Sequence, residues 1–501
     1  MKISLLFCIT LAVMCVLSSE LNAADGTPSL EPLFQSVDLN VNEEREIELV
    51  DGSRTRVKLL SVDEIRDPLR GAVRRARVTV EVNGKPLVLT SAKYNLPVAF
   101  AGVQIDCPIT KGYVSNSRQV NPWGFVKDAR LRIWPANSPW IKPGTFSYPV
   151  QQRWFASATQ MANEPTYVDG GEVPSAKSIY YHYGLDAGGA EGMVDIVAAT
   201  SGLVVSSGTE ILPDYKNSPA KPRYDVVYLL DERGWYYRYS HLKSIDPALC
   251  PGARVNLGQK VGVLGKEGGS GGWSHLHFDI TSRQPSGLWG IQEAYAFYWE
   301  AYLREHSPKI VAVARPHHFV FTGDKVLLDG SKSWAASGGV TRYDWTFTDG
   351  TTARGSSIER IYSKAGQYSE VLRVTDSGGN VDYDFAIVQV IEKSAPDDLP
   401  PSIHPACAPT FDIRPGQPVT FKVRTFRTTE GSELWDFGDG SQKVMVKSDG
   451  NANVHADDGY AVTQHRFAKP GHYVVRVERV NNRGQKAIAH LHVPVGISAH
   501  R

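Results

Sequence analysis

The chain has 501 residues and a formal net charge of +1, with 54 Lys and Arg set against 53 Asp and Glu. So even a balance excludes nucleic acid or an anionic membrane surface as the main partner. The length exceeds what one hydrophobic core can organise and implies about three or four folded units.

At the N-terminus, Lys2 precedes a 15-residue apolar run from Ile3 to Leu17, followed by Ser18-Ser19-Glu20-Leu21-Asn22-Ala23-Ala24. This reads as a secretory signal peptide over residues 1–23, cleaved near Ala23 or Ala24. The run is shorter than the roughly 20 residues of a membrane-spanning helix, so the expectation is a secreted or periplasmic protein without membrane insertion. Cys8 and Cys15 fall in the removed segment and lack a preceding small residue, which argues against a lipid anchor. Cys107, Cys250 and Cys407 remain, widely spaced and odd in number. They make neither a disulfide scaffold nor a Cys-rich zinc site. One bridge with a free thiol and three unpaired buried cysteines both stay open.

Residues 24–150 form a β-rich accessory unit without histidine. Arg75 to Val82 and Pro86 to Thr90 flank Asn83-Gly84, a strong hairpin signal. The basic run from Arg66 to Arg77 is expected to be a solvated face. Residues 151–307 stay β-rich and glycine-rich until Ile291, Ala294, Tyr295, Tyr298, Trp299 and Tyr302 recur at helical spacing. They predict one amphipathic helix over Ile291 to Glu305, stopped by Pro308.

The C-terminal part repeats itself. Tyr343-Asp344-Trp345-Thr346-Phe347-Thr348-Asp349-Gly350 recurs as Leu434-Trp435-Asp436-Phe437-Gly438-Asp439-Gly440, with the tryptophans 90 residues apart. Gly366-Gln367-Tyr368 and Gly471-His472-Tyr473 follow the respective copies. The expected units are 308–393 and 403–496, joined by a Pro-rich linker at 394–402. Both resemble the polycystic kidney disease (PKD) domain, whose Trp-x-Phe-Gly-Asp-Gly turn is complete in the second copy and carries Thr348 in the first. That resemblance implies immunoglobulin-like β-sandwiches serving as spacers or adhesion modules. His490-Leu491-His492 falls in the last strand of the second copy and is expected to be a pair of exposed histidines.

Chemistry concentrates in three clusters of the 151–307 region, which hold every histidine before Ala294. The first is Tyr181-His182-Tyr183-Gly184-Leu185-Asp186, expected as strand or extended loop in which positions i and i+4 share a face. The second is Trp235 to Leu242, the return strand of a hairpin that turns at Asp231-Glu232-Arg233-Gly234 and puts Tyr237, Tyr239 and His241 on one face. The third is Gly271-Gly272-Trp273-Ser274-His275-Leu276-His277-Phe278-Asp279, where His275 and His277 stand side by side on a strand. Taken singly, each histidine reads as an ordinary core or surface residue. Together they offer the nitrogen and carboxylate donors that Zn²⁺ takes in a catalytic site, with one coordination position left for water or substrate.

His-x-Gly-x-Asp at His182 to Asp186, Val197 to Val205, Tyr239-Ser240-His241-Leu242, Gly258 to Gly265 and His275-Leu276-His277 resemble the lysostaphin-type (LytM-type) zinc metallopeptidase domain in the family's order. The resemblance spans roughly a quarter of the chain. It implies a compact antiparallel β fold with a groove across one Zn²⁺ ion. His182, Asp186 and His277 match the metal ligands, and His275 and His241 match the two catalytic histidines; which of these is the general base stays open. The whole chain is then an all-β dominated multidomain protein.

The sequence departs from the family's pattern at Trp273 and in the long, proline-containing connection Glu210 to Tyr224, and both departures bear on substrate choice. Asn163, Asp169 and Glu172 are weak candidates for an additional ligand that would make the site latent. The leading expectation is an exported zinc metalloendopeptidase that uses metal-activated water on peptidoglycan cross-bridges or stem peptides. Extracellular protein is the alternative substrate, and a non-hydrolytic cell-envelope scaffold or adhesion protein is the alternative function.

Overall fold

The computed structural model describes residues 28–91, 93–164 and 178–497. Strands dominate, and short turns link most of them. Residues 1–23, expected to be a signal peptide, lie outside the described residues, as do Asp169 and Glu172. Among the described residues no helix is long and apolar enough to cross a membrane.

In the N-terminal unit, Glu44–Glu48, Arg54–Arg66, Val73–Val82 and Lys85–Thr90 form a meander, and Gln35–Leu39, Ala129–Pro135, Val103–Thr110 and Val98–Phe100 form a second sheet. Alternate residues Val57, Leu59, Val78 and Val80 meet Ile105, Leu131 and Ile133 in the core between them, as the two-residue strand period requires. Asn83 and Gly84 take φ of 50° and 78°, the left-handed pair that a tight hairpin turn uses. Arg132 is fully buried and bridges this unit to the next, pairing with Asp106 and with Glu293. The basic run is mixed: Arg75 and Arg77 are exposed, whereas Arg74 pairs with Asp67 and lies over Phe319.

The next unit is built on an antiparallel sheet in the order Glu210–Ile211, Gly202–Ser207, Val227–Leu230, Tyr236–Ser240, His275–Arg283, Leu185–Gly188, Thr159–Gln160. A smaller sheet of Asp195–Val197, Lys260–Leu264 and Leu242–Ile245 accompanies it. The helix runs Tyr295–His306, shorter than its sequence pattern. Ile291 belongs instead to a strand paired with Thr281, because its apolar side chain fits the strand period of Trp289–Gln292 equally well. Tyr295, Phe297, Tyr298 and Trp299 are buried on more than one side of the helix, with Phe297 against Phe146, Tyr298 against Tyr148 and Trp299 against Trp154.

The two C-terminal sandwiches have separate cores around Trp345 and Trp435, both fully buried. One sheet nevertheless runs through both, because Gly366 and Gln367 pair in parallel with Lys486 and Ala487. That continuity corrects the expectation for the second His-Leu-His: His490 is 9% exposed and His492 only 1%. His490 bonds Ser369 and stacks on Phe385, and His492 meets His472 and Asp382. The strand period does place both histidines on one face, but the first sandwich covers that face. Among the described residues Cys107, Cys250 and Cys407 form no disulfide; Cys107 and Cys407 are buried and Cys250 is partly so.

Candidate metal centre

The site is assembled by register between two strands. Leu185–Gly188 pairs with His275–Arg283 so that Asp186 lies directly opposite His277 and Gly188 opposite His275. On the other side, Ser240 is opposite His277, and His241 follows where the strand ends. His182 arrives from irregular chain, because Gly184 at φ +84° turns the backbone before the strand begins. The shared face of positions 182 and 186 is thus produced by this turn and not by continuous strand. His241 has φ +67°, so its ring leaves the face of Tyr237 and Tyr239, which are buried in the core.

Donor atoms of His182, Asp186 and His277 all lie within 4.8 Å of one another. His182 Nε2 is 3.1 Å from His277 Nδ1 and 3.1 Å from Asp186 Oδ2, and His277 Nδ1 is 2.8 Å from Asp186 Oδ1. His182 and Asp186 are fully buried and His277 is 5% exposed. The opposite ring nitrogens fix the tautomers: His182 Nδ1–H donates to the Met161 carbonyl at 3.1 Å, and His277 Nε2–H to Asp279 at 3.2 Å. Two imidazole lone pairs and a carboxylate therefore face one point, an arrangement that repels itself without a cation. Asp186 Oδ2 makes no hydrogen bond despite its burial. These donors fit a divalent, imidazole-preferring ion such as Zn²⁺. Burial alone would raise the Asp186 carboxyl, but the His182, His275 and His277 rings outweigh it and hold it well below the usual carboxylate range.

His275 and His241 flank this group, their rings 4.6 Å apart. His275 Nδ1–H donates to the Trp273 carbonyl at 3.0 Å, leaving Nε2 without a hydrogen bond 3.5 Å from Asp186 Oδ2. His241 Nδ1–H donates to the Glu267 carbonyl at 2.6 Å, and its backbone N–H donates to Asp225 at 2.9 Å. Burial pushes both imidazoles below their usual pKa, His275 strongly. Each ring thus presents a free nitrogen able to accept a proton.

Three further participants escape the sequence reading. Asp279 orients His277 and was legible as the next same-face residue after it. Asp225 and Arg223 sit beside His241, with Arg223 Nη2 at 2.7 Å from the Asp225 carboxylate; their long separation from His241 in sequence leaves no signal. Trp273 also has a different place from the one expected. Its ring stacks on His275 at 3.9 Å between centroids and 15° between planes, so it touches the chemistry directly. Asn163 is buried and donates to the Pro108 carbonyl, 2.8 Å away.

Comparison with known proteins matches these elements to a family. Residues 180–286 match peptidase family M23. Two PKD domain matches follow, over residues 306–390 and 408–495. The M23 domain thus spans every histidine of the site, and its family supports a peptidase hydrolase of metallopeptidase type. Among curated proteins, the chain is similar to collagenase ColA of Clostridium perfringens, 28% identical over 81 residues. That likeness covers 16% of this chain and spans 7% of the collagenase. Among solved structures, Helicobacter pylori Csd3 matches at 14% identity and TM-score 0.20, covering 53% of this chain and 80% of that one. Fibronectin(III)-like modules of Clostridium thermocellum CbhA match at 9% identity and TM-score 0.15, over 38% and 94%. Likenesses at such TM-scores bear on neither fold nor function here.

Proposed function

We propose that the protein is an exported, zinc-dependent metalloendopeptidase that cleaves peptide bonds in peptidoglycan cross-bridges or stem peptides. The observation that carries this reading is the convergence of His182, Asp186 and His277 on one point, with the unbonded Nε2 of His275 and the ring of His241 beside it. His182, Asp186 and His277 would hold the ion, which when bound supplies a Lewis acid able to activate water and polarise a carbonyl. Asp279 and the Met161 carbonyl keep the two ligand rings in the tautomers that present Nδ1 and Nε2 inward. His275 Nε2, aimed at the same point, is placed to accept the proton of the attacking water. His241, seated by Glu267 and Asp225, turns its other nitrogen to the same group; once that nitrogen has taken up a proton, the imidazolium would donate it to the developing oxyanion or to the leaving amine and return to the neutral ring. Both rings are buried, His275 fully and His241 to 5% exposure, which limits bulk water around them and strengthens each of these interactions.

Export is supported by the N-terminal sequence and by the PKD domains, which are typical of extracellular proteins. The test is hydrolysis of purified cell walls by zinc-loaded protein, with and without chelator, read as new amino groups per zinc. No release by fully loaded protein refutes the reading. A second reading, extracellular protein as substrate, is favoured by the stretch shared with a collagenase. Preferential digestion of gelatin or casein over cell wall would establish it.

A further inference from the structure

The glycine-rich turn that leads into His275 is held from outside the M23 domain. Asn451 Nδ2 donates to the Gly271 carbonyl at 3.0 Å, and Arg424 Nη1 donates to the Gly272 carbonyl at 2.7 Å. The Ser274 N–H donates to Tyr460 Oη at 2.8 Å. All three partners belong to the second sandwich, and they take up the backbone polar groups on both sides of Trp273.

These partners are themselves locked. Arg424 is fully buried, with Nε 2.8 Å from Asp449 and further bonds to the Asn453 and Val454 carbonyls. The Tyr460 hydroxyl, having accepted the Ser274 amide, donates its proton to His404 Nδ1 at 2.8 Å. His404 in turn packs edge-on against Trp273. The approach is close enough to demand glycine: Gly272 has φ +91°, and a Cβ there would lie 2.1 Å from Asn451 Oδ1. A second tie lies nearby, where Lys422 donates to the Glu191 carbonyl at 2.6 Å.

Between the clamped residues, Trp273 does two things to His275. Its indole stacks on the imidazole, and its carbonyl accepts Nδ1–H, which leaves Nε2 directed at Asp186. We infer that the second sandwich completes the catalytic site: Tyr460, Arg424 and Asn451 are positioning residues that set His275 through the turn 271–274. The catalytic consequence rests on the function proposed above, whereas the clamp itself does not.

The test uses the full, zinc-loaded chain. Tyr460→Phe keeps the ring and removes the hydroxyl; Asn451→Gly keeps the left-handed backbone at φ +62° and removes the carboxamide. Amide hydrogen exchange of the peptide spanning 271–275 is expected to quicken about tenfold or more in each variant, the scale of one lost hydrogen bond. For cell-wall hydrolysis, kcat is expected to fall about tenfold, with KM and zinc stoichiometry within about twofold of the parent. A merely structural interface would lower the melting temperature and leave kcat per zinc-loaded molecule unchanged, and that result overturns the inference. Unchanged exchange in both variants overturns it as well. If the parent hydrolyses nothing, the functional reading fails on its own and the exchange measurement alone decides the clamp.

Discussion

Asp279→Asn isolates the role of a residue that touches no substrate. Its carboxylate lies 3.2 Å from His277 Nε2 and 3.4 Å from Arg238 Nη1, with 4% of the side chain exposed. While it accepts Nε2–H, the lone pair on His277 Nδ1 faces Asp186 and His182. The asparagine is nearly isosteric but uncharged, and its amide can turn its own N–H toward Nε2. Neutral His277 would then carry its proton on Nδ1, the atom the ion requires. Loss of such an orienting carboxylate typically weakens metal binding by about 10- to 100-fold, or about 1.4–2.7 kcal/mol. Competition with a chromogenic chelator measures the affinity directly, and the melting temperature of the metal-free variant reports how far the unpaired Arg238 disturbs the fold. An affinity within about twofold of the parent would show that Asp279 does not set the His277 tautomer.

Other outcomes follow from the same geometry. His275→Ala and His241→Ala should each lower kcat by about 10²- to 10⁴-fold while zinc stoichiometry, read by elemental analysis, stays near one per chain; loss of the metal instead would make these residues ligands. Gly184→Ala forces a side chain onto a backbone at φ +84° and places Cβ 2.8 Å from the Phe278 carbonyl and 3.2 Å from His277 Cε1. It should cost about 1–3 kcal/mol in denaturant titration and weaken zinc binding, and full retention of both would count against the described turn. Burial lowers the pKa of His404 to about 4, His490 to about 3 and His492 to about 4. Their unfolded forms protonate near pH 6.5, so the stability they confer is complete above that pH and is lost as pH falls from 6.5 towards about 4, and towards about 3 for His490. His490→Gln should flatten this acid limb by about 1.4 kcal/mol per pH unit, and identical slopes in both proteins would refute the assignment.

Much of the site was legible because its chemistry is local. His275 and His277 share a face through strand periodicity, and the density of histidine between residues 182 and 277 marked out the region. The Asn83-Gly84 hairpin and the tryptophan repeat were equally readable, since each depends on a few neighbouring residues. The helix start was misplaced, because Ile291 satisfies strand and helix periods alike. Asp225 gave no signal, because its partner His241 meets it only after the chain folds back.

The two His-Leu-His tripeptides mark the boundary between what sequence and tertiary structure each determined. Sequence alone placed each pair of imidazoles on one face of a strand, since that follows from backbone geometry within a few residues. Only the tertiary structure decided their fates. Strand register set Asp186 against His277 in one copy, whereas in the other the neighbouring sandwich closed over His490 and His492. Likewise, Trp273 could be recognised as unusual from the sequence, but its position over His275 depends on Arg424, Asn451 and Tyr460, about 150 to 190 residues further on. Contacts at such separations are fixed by how whole sheets pack, which no local pattern of side chains encodes.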